Sequence, residues 1–312
     1  MDTNKIRLIV FPGGFNWPLW IAIEKNWFKE YGVDLEINLT PSSVHQISGL
    51  INNNFDLAIT LIDNVIAYKN NQGEVPILGG DLIGLMACDT NSLPNLVTLP
   101  QIKSYTELKG TRLCVDALTT GYAFLLKAML EHSGLKETDF EVVSAGGVQQ
   151  RYQSLINGEY SGALFNAPFE GMLKEKGFNI IDNGSSVAIN YQGQVLAGNA
   201  TWVNSHSELT AKFILIFLKA VNWLYDLDNY NEAILIFDKN QKNSNAGYGP
   251  ACYQSLLHKS KGFPSDGKIQ LAGVSNVINL RNKYHKGLNP LPDKPQAYVD
   301  MTILEHVLKS SF

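Results

Sequence analysis

The chain has 312 residues, 45% of them hydrophobic and 17% charged, with a net charge of −4. That length supports two α/β lobes with substantial cores. The acidic balance without any basic block argues against nucleic acid as a partner, and no apolar run approaches the ~18 residues of a membrane-spanning helix.

Ile6 to Val10 reads as a strand, broken by Phe11-Pro12-Gly13-Gly14-Phe15-Asn16-Trp17-Pro18. Leu19 to Phe28 reads as a helix, Gly32 ends it, and Val33 to Leu39 reads as a second strand. A strand that stops at a Gly/Pro-rich turn and feeds into a helix opens a βαβ unit. Ser43–Asn53 follows as a helix, Phe55–Thr60 as a strand, Asn64–Asn71 as a helix, and Pro76–Met86 as strand material interrupted by Gly79-Gly80. The pattern then repeats. Thr111–Val115 is a strand, Gly121–Ser133 a helix stopped by Gly134, Phe140–Ser144 a strand, Gly147–Asn157 a helix, Ser161–Phe165 a strand, Glu170–Lys176 a helix and Asn179–Asp182 a strand.

After Val195–Val203 the texture becomes helical. Ser205–Leu224 reads as one long helix capped by Ser205 or Ser207, followed by Asn231–Asp238, Gly249–Lys259 and Gly273–Tyr284. The units starting at Ile6 and Thr111 share one plan, which predicts two α/β lobes with a helical tail packed on the first. Lobe 1 is expected over 1–97 plus 202–312 and lobe 2 over 98–201, with hinge crossings near Leu96–Gln101 and Gly198–Trp202.

Strand-to-helix turns lie at the carboxyl ends of strands, where open α/β sheets bind ligands. Phe15, Asn16 and Trp17 offer aromatic faces and an amide, although Trp17 could equally be a core residue. Ser42 and Ser43 stand at a helix start, where either could cap or touch a ligand. Asp63 and Asn64 follow the next strand; Asp63 could accept a ligand N–H or simply complement the helix dipole. In the second unit Asp116, Thr119, Thr120, Gly121 and Tyr122 lead into a helix N-terminus whose free N–H groups favour a ligand oxygen. Gly147 and Arg151 open another helix, Asn166 ends a strand, and Tyr191 lies near the second crossing. Aromatics and neutral hydrogen-bonders dominate these turns and Lys is absent from them, which suits a small, planar, polar molecule better than a strongly charged oxyanion.

Cys88, Cys114 and Cys252 show no CxxC spacing and no adjacent His, so no metal is expected. His45, His132, His206, His258, His285 and His306 fall in no hydrolase or zinc-protease setting. Met1-Asp2-Thr3-Asn4 leads directly into the first strand without a secretory pattern. A cytoplasmic protein is expected if Met1 is the native start, and a periplasmic or cell-surface one if a signal has been removed.

Several segments carry a resemblance. Phe15-Asn16-Trp17-Pro18-Leu19, Trp27-Phe28, Tyr31-Gly32-Val33-Asp34, Phe55-Asp56-Leu57-Ala58, Leu108-Lys109-Gly110-Thr111-Arg112, Asn157-Gly158-Glu159 and Ser207-Glu208-Leu209 follow in the order seen in the sulfonate/taurine/thiamin-pyrimidine group of substrate-binding proteins. The chain resembles that group over nearly its whole length. The resemblance implies the two-lobe type II periplasmic-binding-protein fold, a ligand held between lobes that close on a hinge, delivery to an ABC permease, no cofactor, and a monomer. Some members of the fold are enzymes. The resemblance places the reactive histidine and the cofactor lysine of thiamin-pyrimidine synthases near Asp63, but Thr60-Leu61-Ile62-Asp63-Asn64 contains neither, and their cysteine-rich iron motif is missing. The remaining enzyme reading pairs Asp63 and Asp116 across the cleft as acid and base acting on a small planar substrate.

Overall fold

The computed structural model describes residues 4–77, 80–90, 93–188, 190–241, 248–258, 261–286 and 289–310. The chain begins β1 (Lys5–Val10), α1 (Trp17–Glu24), α2 (Trp27–Glu30), β2 (Asp34–Leu39), α3 (Ser43–Ile51), β3 (Leu57–Leu61), α4 (Ile62–Lys69) and β4 (Leu82–Ala87). It continues β5 (Asn95–Thr98), β6 (Thr111–Val115), α5 (Gly121–His132), β7 (Phe140–Ser144), α6 (Val148–Ile156), β8 (Gly162–Phe165), α7 (Phe169–Glu175) and β9 (Asn179–Asp182). Last come β10 (Gln194–Asn199), α8 (Ala200–Ser205), α9 (Ser207–Tyr225), α10 (Tyr230–Asn240), α11 (Tyr248–Leu256), α12 (Leu271–Tyr284) and α13 (Thr302–Ser310).

Among the described residues the strands form two five-stranded sheets of matching design, in the orders β2-β1-β3-β10-β4 and β7-β6-β8-β5-β9. In each, three parallel strands joined by helices are extended by a strand running the other way, β10 against β3 and β5 against β8. This is the two-lobe α/β architecture expected. The crossings lie earlier than the sequence suggests, between Ala87 and Asn95 and between Asp182 and Gln194, because β5 joins the second sheet and β10 the first. Each short apolar run fits either sheet, and only pairing decides between them. The expected helix over Leu19–Phe28 is two helices, broken at Asn26 in the left-handed conformation (φ 57°). Of the strand material expected over Pro76–Met86, positions 78 and 79 lie outside the described residues, as does Lys259 of the expected helix Gly249–Lys259.

Helix α9 presents Leu209, Phe213, Phe217, Ala220 and Leu224 at helical spacing and buries them against α1 and α13. Each large side chain so removed from water contributes roughly 1.5–3 kcal/mol. The helical tail does more than cover lobe 1. Helix α12 lies against α5 of lobe 2, with Lys283 and Glu131 paired at 2.9 Å, and α11 meets α7. One apolar cluster joins Phe237, Tyr248 and Leu256 of the tail to Ala167 and Met172 of lobe 2; a second joins Ile62 and Val277 to Leu113 and Leu126.

Candidate functional site

A cavity of about 80 Å3 lies between the lobes. A single water needs roughly 10–15 Å3 by the same measure, so the space suits several waters or a small flat molecule. Lobe 1 contributes Phe11, Pro12 and Phe15 from the turn after β1, Ser43 from the start of α3, Ile59, Thr60 and Leu61 from β3, Asn64 from α4 and Gln194 from β10. Lobe 2 contributes Pro94, Asp116, Thr120 and Tyr122, Val148 and Arg151 of α6, and Leu164, Asn166, Ala167 and Phe169 around the end of β8. Every contributing turn sits where a strand hands over to a helix or where the chain crosses between lobes.

The polar groups of the wall are held by their neighbours. Thr120 Oγ1 donates to Asp116 Oδ1 at 2.9 Å, and Ser43 Oγ donates across the cleft to Asp116 Oδ2 at 3.2 Å. Asn64 Nδ2 donates to Thr60 Oγ1 at 2.9 Å, and Asn166 Nδ2 to Tyr122 Oη at 3.2 Å. Arg151 is buried; its Nε donates to the Gly146 carbonyl at 3.2 Å and its Nη1 to the Leu164 carbonyl at 2.6 Å. Burial pushes the Tyr122 phenol well up, so it remains a neutral hydrogen-bonding group at physiological pH. Asn166 Oδ1 and Gln194 Oε1 are buried and have no partner among the described residues.

Of the residues singled out from the sequence, Phe15, Ser43, Asn64, Asp116, Thr120, Tyr122, Arg151 and Asn166 line this cavity. The others stand elsewhere. Trp17 is fully buried in lobe 1; its Nε1 donates to the Ala233 carbonyl at 3.1 Å and its ring lies 4.5 Å from Phe237, so it is a packing residue. Asn16 is tied back into its own turn by an Nδ2 bond to the Phe11 carbonyl at 2.7 Å. Ser42 caps α3, accepting the His45 N–H at 3.2 Å. Asp63 is fully buried in an ion pair with Arg281, whose Nε and Nη2 donate to its oxygens at 2.9 and 2.7 Å. Asp63 therefore does not face Asp116 across the cleft, and the expected acid–base pair is not assembled.

Thr119 ties the lobes together instead of lining the cavity. Its N and Oγ1 donate to Glu74 Oε2 at 3.2 and 2.6 Å, and its carbonyl accepts from Arg281 Nη2 at 2.8 Å. Gly121 lies directly against Asp63 and Tyr191, and Tyr191 is buried behind the wall with its ring 6.4 Å from Tyr122. Gly147 lines an outer groove beside the cavity, where a Cβ would stand 2.5 Å from the Pro41 carbonyl of the other lobe. Only glycine allows that approach.

Sequence reasoning missed Thr60, Phe169 and Gln194. Thr60, near the end of β3, and Phe169, the first residue of α7, flank the turns singled out for Asp63 and Asn166. Gln194 was missed because β10 was not assigned to the first sheet.

Comparison with known proteins bears on the fold and the family. A formylaminopyrimidine-binding protein of Halalkalibacterium halodurans is 24% identical over 268 residues, which cover 78% of this chain and 72% of that protein. The ligand-binding component of an ABC-type import system from Staphylococcus aureus, solved with zinc bound, superposes with a TM-score of 0.77 at 16% identity, over 97% of this chain and 99% of that one. Among the described residues here, no group of three or more His, Cys, Asp or Glu is placed to hold a metal ion. The alkanesulfonate-binding protein SsuA of Xanthomonas axonopodis pv. citri, bound to MOPS, superposes with a TM-score of 0.72 at 11% identity, over 98% of each chain. These likenesses establish the fold. The profile of one family matches residues 16–228, well over half the chain, and on that match the protein belongs to the NMT1/THI5-like family.

Proposed function

We propose that this solute-binding protein captures a substituted aminopyrimidine and delivers it to the permease of an ABC importer. The observation that carries this reading is the pair of buried acceptors without partners among the described residues, Asn166 Oδ1 and Gln194 Oε1, in a cavity also lined by Phe15, Tyr122 and Phe169. An amino-substituted heterocycle supplies both a flat face and N–H donors. The formylaminopyrimidine-binding relative supports the same ligand class.

An anionic ligand such as a sulfonate fits this wall less well. Two donors of the Arg151 guanidinium already serve lobe 2 carbonyls, and the Asp116 carboxylate shares the cavity. Like charge held at short range works against such a ligand. The import system named for the Staphylococcus aureus neighbour supports the importer partner, and delivery to an importer in turn favours an extracytoplasmic location.

Isothermal titration with formylaminopyrimidine, methanesulfonate and nitrate tests the reading. The pyrimidine is expected to bind at least about 100-fold more tightly than either anion, a difference of ~2.7 kcal/mol. Tighter binding of methanesulfonate or nitrate would overturn it.

A further inference from the structure

A small annex of about 10 Å3 adjoins the main cavity where the chain crosses between lobes. Phe15, Asn166 and Gln194 line both spaces, and Asp89 and Phe263 line the annex. The volume matches one non-hydrogen group with its hydrogens. Asp89, only 5% exposed, stands on the first crossing, and its Oδ2 accepts the N–H of Gln194 on the second at 3.0 Å. Its Oδ1 has no partner among the described residues, and neither have Asn166 Oδ1 and Gln194 Oε1. A Cβ on Gly193 would stand 2.3 Å from Asp89 Oδ1, so glycine there leaves the carboxylate its place.

We propose that Asp89, Asn166 and Gln194 form a subsite that takes an amino group of the ligand or one nitrogen of an amidine. The proposal builds on the aminopyrimidine reading but concerns the N–H-bearing group alone. Three buried acceptors without partners among the described residues, on side chains that line a space of one-atom size, call for a ligand nitrogen bearing more than one N–H bond. Their isolation is expensive, since an unmet buried polar group costs about 1–3 kcal/mol and a lone buried carboxylate more.

The titratable groups around Asp89 are Cys88 on its own strand end, Tyr122 on α5 and Tyr191 on the second crossing. All three are pushed up by burial, with the Asp89 charge adding to it, so none supplies a cation. Burial raises the Asp89 carboxyl to about 7, against the Gln194 N–H bond and the nearby Gly193 N–H, which lower it. An N–H donor in the annex favours the carboxylate over the acid, so affinity for a neutral amine rises as pH increases through about 7.

The test is titration of the wild-type chain and Asp89→Asn with 4-amino-2-methylpyrimidine, 2,4-dimethylpyrimidine and benzamidine between pH 5.5 and 8.5. Wild type is expected to prefer the amino compound over its dimethyl analogue by about tenfold at the upper pH. Asp89→Asn should lose that preference and its pH dependence while melting no lower than wild type. Asn166→Ala, on the other lobe, should reduce the same preference. If neither pyrimidine binds wild type but benzamidine does, and loses affinity in Asp89→Asn, the pyrimidine reading falls and the subsite stands. Equal affinity of wild type for the amino and dimethyl compounds overturns the subsite. So does an Asp89→Asn variant that binds all three probes as wild type does, or a wild type that binds none of them.

Discussion

Asp63 and Asp89 are both buried where the lobes meet, and the fold treats them in opposite ways. Asp63 opens α4 and is matched by Arg281 of α12, whose remaining bonds reach the Gln72 carbonyl in lobe 1 and the Thr119 carbonyl in lobe 2. Among the described residues Asp89 is met by a backbone N–H, that of Gln194, and by no cation. The first arrangement uses a buried charge to hold lobe 2 against the α4–α12 face. The second leaves acceptor capacity open beside the ligand cavity. The partners of a buried acid, rather than the acid itself, separate a structural role from a binding one.

Breaking the first arrangement should have the largest effect. Arg281→Met leaves Asp63 buried without its counter-ion and should destabilise the protein by about 3–5 kcal/mol in chemical denaturation. A loss below ~1 kcal/mol would mean that the pair does not hold this face together. Trp17→Ala empties a fully enclosed site and should cost about 3 kcal/mol or more in the same measurement. Ligand affinity of the folded variant should stay within about twofold of wild type, since Trp17 packs behind the wall and does not line it.

Asp89→Asn should act in the opposite direction. The folded carboxyl titrates near 7 and the unfolded one near 3.8, so the native state holds the extra proton between those values. Stability is therefore lost as pH rises from about 4 through 7, and the ionised carboxylate is a cost above that range. The amide variant should be more stable than wild type at pH 8 by on the order of 1–2 kcal/mol, with the gap closing toward pH 4. A variant less stable than wild type at pH 8 would contradict the raised titration. The smallest effect belongs to Ser43→Ala, which removes the bond to Asp116 across the cleft and should weaken ligand binding by ~0.5–1.5 kcal/mol without altering stability in the absence of ligand.

Much of the architecture was legible in the sequence because Gly/Pro-rich turns separate strands from helices at regular intervals. β7 and β9 begin and end at the expected residues. The crossings were misplaced because β5 and β10 carry the same apolar pattern as any central strand, and pairing partners leave no local mark. The cavity wall was legible at the level of turns: Phe15, Ser43, Asn64, Asp116, Tyr122 and Asn166, which line it, stand where a strand ends or a helix opens. Individual roles depended on distant partners. Nothing near Trp17 announces that α10 and α11 cover it, and nothing near Asp63 announces Arg281, 218 positions away. Asp89 lies in a crossing, where the turn rule offers no signal.

A crystal structure with formylaminopyrimidine tests the central claim most directly. The account predicts the ring in the interlobe cavity beside Phe15, Tyr122 and Phe169, with an amino group within hydrogen-bond reach of Asn166 or Gln194. A ligand bound outside that cavity, or one whose contacts involve Trp17 or Asp63 instead, would contradict it.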